Sequence, residues 1–192
     1  MKPVPAPHGK EHWSEYLMRT GTSPDDPYQP PPSAFLPVYC AGFDIDQNIL
    51  WMSDINDFRP STMDHFKVPK SLDDTDVYDV VALDCCNLRD NHTHIGVAGF
   101  LRGALKFRAK RTLAVQMTHQ IDSYALDALG RMILGGDRET EHDEWLDKAW
   151  EHISQVDQLW DRLQIEKPRI GAAYDGMRLR IMDDGIKEVV HS

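Results

Sequence analysis

Arg111-Thr-Leu-Ala-Val-Gln-Met-Thr-His-Gln-Ile-Asp122 decides the reading of the fold. Its Leu/Ala/Val-rich centre reads as a buried strand, and it closes on Thr118-His119. Open α/β sheets present their reactive groups at the carboxyl ends of strands. An imidazole placed there binds a metal or passes a proton. Two further stretches have the same form. Asn48-Ile-Leu-Trp-Met-Ser-Asp54 is an apolar run ending in a carboxylate. Tyr78-Asp-Val-Val-Ala-Leu-Asp84 is another, with His92 and His94 shortly after it. Val80 to Leu83 is continuously apolar, as in a strand covered on both faces. Three strands that deliver Asp, His and His to their ends suggest a metal-dependent hydrolase.

Working outward, Ala34 to Asp44 is apolar and β-prone, and Asp46-Gln47-Asn48 reads as a hairpin turn into a strand from Ile49 to Ser53. Val97, Phe100, Leu101, Ala104 and Leu105 recur at helical spacing within 95–107. Asp122 is placed to N-cap a helix from Ser123 to Met132, which Gly135-Gly136 ends. Thr140 to Leu163 reads as one longer amphipathic helix, with Trp145, Ala149, Ile153, Val156, Trp160 and Leu163 along one side. Arg169–Tyr174 and Met177–Met182 read as strands joined by a hairpin turn at Asp175-Gly176. The order predicts an α/β layered domain. Strands near 35–44, 48–53, 78–84, 112–117, 169–174 and 177–182 are expected in one mixed sheet, with the helices of 95–107 and 122–132 on one face.

Nine of the twelve prolines precede residue 40, and Ser23-Pro-Asp-Asp-Pro-Tyr-Gln-Pro-Pro-Pro-Ser33 cannot form a regular element, so this region reads as an extended loop. The whole chain, 1–192, is read as a single domain with a Pro-rich loop about 20–33 and a helical insertion about 138–166. With 21 basic against 31 acidic residues the net charge is −10, which argues against a broad nucleic-acid surface or an anionic membrane as partner. Three cysteines, two of them adjacent (Cys85, Cys86), make no disulfide framework and point to a reducing, cytoplasmic setting. The first residues lack the apolar core of a signal peptide, and no stretch is apolar enough to span a membrane.

In order along the chain, Pro5-Ala-Pro-His-Gly9, Ile49-Leu-Trp-Met-Ser-Asp54, Val80-Val-Ala-Leu-Asp84 with Asn91-His-Thr-His94, Arg111 to His119, and Ala173-Tyr-Asp-Gly-Met177 resemble the C-terminal half of the metallo-β-lactamase superfamily, in its phosphodiesterase-like hydrolase branch. The resemblance implies an α/β fold that is a half or truncated form of the four-layer αββα sandwich, with a mixed sheet and helices on one face. It implies that His8, Asp54 and His119 are metal ligands, Asp54 bridging two ions. It also implies that His94 is a catalytic residue at the phosphate or leaving group. Zinc or manganese is the expected cofactor, and a small phosphorylated or ester substrate the expected partner. Imidazole and carboxylate suit zinc, and two ions about 3.5–4 Å apart stabilise both sides of an in-line displacement. The family's His-x-His-x-Asp-His is absent from this sequence: His92-Thr-His94 begins that way, but Ile95-Gly96-Val97 does not continue it. The expectation is therefore of an incomplete site with little activity in this chain alone. It also includes a sheet face left uncovered, through which copies of the chain associate.

Each candidate has an ordinary structural explanation beside the functional one. His119 is a core histidine at a strand end, Asp54 caps a loop, His8 belongs to a solvated tail, and His94 starts a helix. Cys85-Cys86 is best read as small buried hydrophobes. His12, His65, His142, His152 and His191 read as surface residues. Two classes of function remain: a metal-dependent phosphodiester or ester hydrolase, and a non-catalytic remnant or interaction module of the same fold.

Overall fold

The computed structural model of the chain describes residues 1–12, 35–58, 63–91, 93–118, 121–137, 144–175, 177–182 and 185–188. Among these residues six strands form one sheet in sequence order: β1 (Lys2–His12), β2 (Phe35–Ile45), β3 (Ile49–Met52), β4 (Val80–Asp84), β5 (Arg111–Val115) and β6 (Ile170–Ala172). β1–β2 and β2–β3 are antiparallel, and β3 through β6 are parallel, so the sheet is mixed. The β2–β3 turn is where the sequence placed it. Asp46 and Gln47 take left-handed backbone (φ 52° and 57°), and Asn48 N–H donates to Ile45 O.

β1 was not foreseen, because Pro3, Pro5 and Pro7 read as strand breakers. They recur every second residue, so the three missing N–H groups fall on one side of the strand. Since β1 is an edge strand, the donors that β2 needs are kept and the absent ones face away from it. His8 lies within β1, at the point where the register shifts between Pro7 and Gly9.

Four helices follow among the described residues: α1 (Val97–Phe107), α2 (Ser123–Ile133), α3 (Glu144–Ser154) and α4 (Leu159–Glu166). α1 and α2 match the expected periodicity, and Asp122 caps α2 by accepting from Tyr124 N–H at 2.8 Å. The register places Leu50 and Met52, Val81 and Leu83, and Thr112 and Ala114 on one face of the sheet. The apolar members of that face pack in one core with Phe100, Leu101, Leu105, Leu126, Leu129 and Ile133 from the helices. Each such burial contributes roughly 1.5–3 kcal/mol. Phe107 sits edge-on to Phe58, Phe66 and Tyr78, with centroids 6.0, 6.0 and 6.4 Å away. A Cβ at Gly103 would lie 2.5 Å from Leu83 Cδ1, so a glycine is what lets α1 approach β4.

Three expectations are corrected. The long helix of 140–163 is two helices: α3 ends at Ser154, and Gln158 in left-handed backbone (φ 54°) precedes α4. The apolar stripe survives the break because the helices fold together, with the Trp150 and Trp160 rings 4.2 Å apart. The strand of 177–182 is not in the main sheet and does not pair with β6. As β7 (Leu179–Met182) it pairs antiparallel with β8 (Gly185–Glu188), meeting at Met182↔Gly185. The expected turn at Asp175-Gly176 therefore does not join this strand to β6. Finally, the second sheet face is not bare over β4 and β5. Val80, Ala82, Leu113 and Val115 are 5, 3, 5 and 7% exposed, whereas Trp51 beside them is 43% exposed. Ile181 of β7 lines a cavity together with Ile49, Asp79 and Lys110.

The Pro-rich segment 20–33 and residues 138–143 of the supposed insertion lie outside the described residues.

Candidate functional site

β3, β4 and β5 run parallel, so their carboxyl ends open on one edge. Two residues past β3 stands Asp54; β4 ends on Asp84; one residue past β5 stands Gln116. Asp54 and Gln116 both take left-handed backbone, φ 56° and 57°. That conformation costs a residue with a Cβ about 1 kcal/mol or more. It turns the two side chains toward each other across the end of β4, where Gln116 Nε2 donates to Asp54 Oδ2 at 2.9 Å.

His94 reaches the same edge from the segment between β4 and α1. Asn91 Oδ1 shapes that segment by accepting from Thr93 N–H, Thr93 O–H and His94 N–H, all within 2.8–2.9 Å. Asp90 Oδ1 accepts from Gly96 N–H, and a Cβ at Gly96 would fall 2.4 Å from the Arg89 carbonyl carbon. Backbone bonds then stitch the edge together: Ile95 N–H to Ile55 O, Cys86 N–H to Ile95 O, and Thr118 N–H to Cys86 O.

The outcome is a buried carboxylate–imidazole pair. Asp84 is 0% exposed, and its Oδ2 meets His94 Nδ1 at 2.7 Å and accepts from Ile55 N–H at 3.1 Å. Oδ1 of the same carboxylate is buried with no hydrogen-bond partner among the described residues. Burial pushes the Asp84 carboxyl up to about 6; the His94 contact and the Ile55 N–H pull the other way, and the Asp54 charge adds to the rise. Burial likewise raises the neighbouring Cys86 thiol, helped by the charges of Asp84 and Asp54. Cys85 is fully buried, with its thiol pushed far up, and is inert as a nucleophile.

Of the residues singled out in the sequence, Asp54 and His94 are therefore brought to one edge, joined through Asp84 and Ile55. His119 and His92 lie outside the described residues, as does the side chain of His8. Among the described residues no group of three His, Cys, Asp or Glu is arranged to hold a metal ion. Asp54 is one carboxylate of the right type, and the Asp84 carboxylate is engaged by His94 and Ile55. The described residues thus do not by themselves make a metal shell. Asp84 and Gln116 are the two participants to which the sequence reading gave no role. Asp84 was legible as the end of a buried strand, since a carboxylate closing a continuous apolar run must find partners. Nothing in the sequence marks Gln116.

Neither a scan against protein-family models nor a search of curated proteins finds a match for the chain. Among solved structures the chain is similar to one described as "Crystal Structure of a New Diphosphatase from the PhnP Family". The two share 17% identity and a TM-score of 0.36, over 62% of this chain and 32% of that one. The chain thus matches about a third of the length of that protein. No helix among the described residues is long and apolar enough to cross a membrane.

Proposed function

We propose that the carboxyl edge of β3–β5 belongs to a metallo-β-lactamase-like, metal-dependent hydrolase of phosphodiester or related ester bonds. The observation that carries this reading is the buried Asp84–His94 pair beside Asp54. A carboxylate at Nδ1 fixes the imidazole's orientation and stabilises its protonated form. Nε2 is then the nitrogen that gives a proton to a leaving alkoxide or takes one from water. Proton transfer by a group held in this way contributes typically 10²–10⁴-fold in rate.

In this reading His94 is the acid–base residue and Asp84 positions it. Asp54 is a metal ligand held by Gln116, and His8 and His119 are its companions in the shell, as the sequence resemblance implies. Zinc or manganese, if held there by Asp54 with His8 and His119, would supply Lewis-acid character and a more acidic water. The sequence holds no His-x-His-x-Asp-His, so slow turnover is expected from this chain's own residues.

The test is hydrolysis of bis(4-nitrophenyl) phosphate by the 192-residue chain with excess Mn²⁺ or Zn²⁺, against His94→Gln and Asp54→Ala. Metal-stimulated turnover, slow but lost in both variants, supports the reading. Turnover unchanged in both, or no metal-stimulated turnover above the free-metal background, sinks it.

A further inference from the structure

The opposite edge of the same strands carries a different chemistry. We propose that it forms a second site, a cleft that binds a small phosphate-bearing molecule with an apolar body. Here a cavity of about 730 Å³ lies at the amino ends of β5 and β6. That volume falls in the range of small-ligand pockets, about 300–1,000 Å³.

Five cations line it from two segments: Arg108, Lys110 and Arg111 from one, Lys167 and Arg169 from the other. The acids of the cleft, Asp74 and Glu166, are fewer and already engaged. Asp74 accepts from the backbone N–H groups of Lys70 and Asp76, and Glu166 from Arg108 and Arg162. In a chain of net charge −10 this reverses the sign of the local field.

Cations at helix C-termini are ordinary, since the helix dipole favours them by about 0.3–1 kcal/mol. That accounts for Arg108 and Lys167, the C-caps of α1 and α4. It does not account for Lys110, Arg111 and Arg169, which stand outside any helix. Nor does it account for a side chain at those caps where glycine is the usual residue: both are in left-handed backbone, φ 47° and 46°. Arg108 pairs with Glu166 and Lys110 with Asp79. Lys167 and Arg169 are exposed and carry no ion pair among the described residues. They are the charges left for a ligand.

The apolar half of the proposal rests on the rest of the wall. Leu72 and Leu134 are 63% and 48% exposed, and both line this cleft, together with Ile186 from β8. Open apolar side chains beside unpaired cations suit an anion with an apolar body better than inorganic phosphate or a neutral molecule. The cleft is one strand length from the candidate hydrolytic edge, about 15 Å at about 3.3 Å per residue. It is therefore a separate site, and it does not depend on the function proposed above.

Isothermal titration of the full chain at low ionic strength tests this, with phenyl phosphate, inorganic phosphate and phenol as probes. The proposal expects saturable binding of phenyl phosphate, weaker binding of phosphate and none of phenol. In Lys167→Gly/Arg169→Gln the phenyl phosphate affinity should fall at least about tenfold, since charge-assisted hydrogen bonds contribute about 1.5–3 kcal/mol. Glycine keeps the left-handed cap, so the melting temperature should hold. His94→Gln should leave the affinity unchanged. Absence of saturable phenyl phosphate binding overturns the proposal. So does binding that survives the double variant, and so does binding lost in His94→Gln.

Discussion

Asp84→Asn separates a buried working carboxylate from a merely structural one. In the native protein the Asp84 carboxyl holds its proton up to about 6, where an exposed aspartate releases it near 3.8. At about 1.4 kcal/mol per pH unit the difference corresponds to at most ~3 kcal/mol. The sign follows from linkage. Between about pH 4 and 6 the folded state binds more protons at this residue than the unfolded state, so this contribution to stability falls as pH rises and is level above 6. Asparagine cannot titrate. Its carbonyl oxygen, in the place of Oδ2, can accept from both Ile55 N–H and a protonated His94 Nδ1, and its amide then takes the place of Oδ1. The fold should therefore survive, and the variant should gain relative to the native chain on going from pH 4 to pH 7. The measurement is urea unfolding of both proteins across that range. Differences between the curves isolate residue 84 from the other titrating groups. A gain of one to three kcal/mol is expected; two curves that run parallel within about 0.5 kcal/mol would refute the argument that this carboxyl is strained by burial.

His94→Gln should move the same titration upward, because the His94 contact pulls the Asp84 carboxyl down; the stability difference from Asp84→Asn would then level off above pH 6 rather than at it. Gly96→Ala should destabilise by about 1–3 kcal/mol, read as a lower urea midpoint, because its Cβ would meet the Arg89 backbone at 2.4 Å. Asp122→Ala should cost about 1 kcal/mol by removing the cap of α2, with no effect on metal or phosphate binding.

Much of the parallel sheet was legible, because its strands are continuous apolar runs whose ends are marked by polar residues. Asp54, Asp84 and Gln116 all sit where such a run stops. What was not legible depended on partners far along the chain. β1 looks like a loop until one sees that it is an edge strand and needs only alternate N–H groups. The strand at 179–182 has a candidate partner on either side, 169–174 across Asp175-Gly176 and 185–188 beyond it, and local sequence does not rank them. The break between α3 and α4 leaves the apolar periodicity intact, so periodicity could not reveal it. At the site, Asp54 and His94 were read from their places at strand ends, but the link between them is Asp84. Its importance comes from burial and from one contact ten residues away, neither of which a residue type announces. Gln116 has no sequence signal at all; its role arises from a left-handed backbone turn shared with Asp54.

The central claim is that the edge holding Asp54, Asp84 and His94 is where a divalent metal binds. Backbone amide NMR during a Mn²⁺ titration tests it directly, since the paramagnetic ion broadens only nearby signals. The account predicts first loss of signal at 54–55, 84–86, 94–95 and 116–118, abolished by Asp54→Ala. Broadening that begins instead around the acidic cavity of Asp44, Asp74 and Asp76, or that is unchanged in Asp54→Ala, would contradict it.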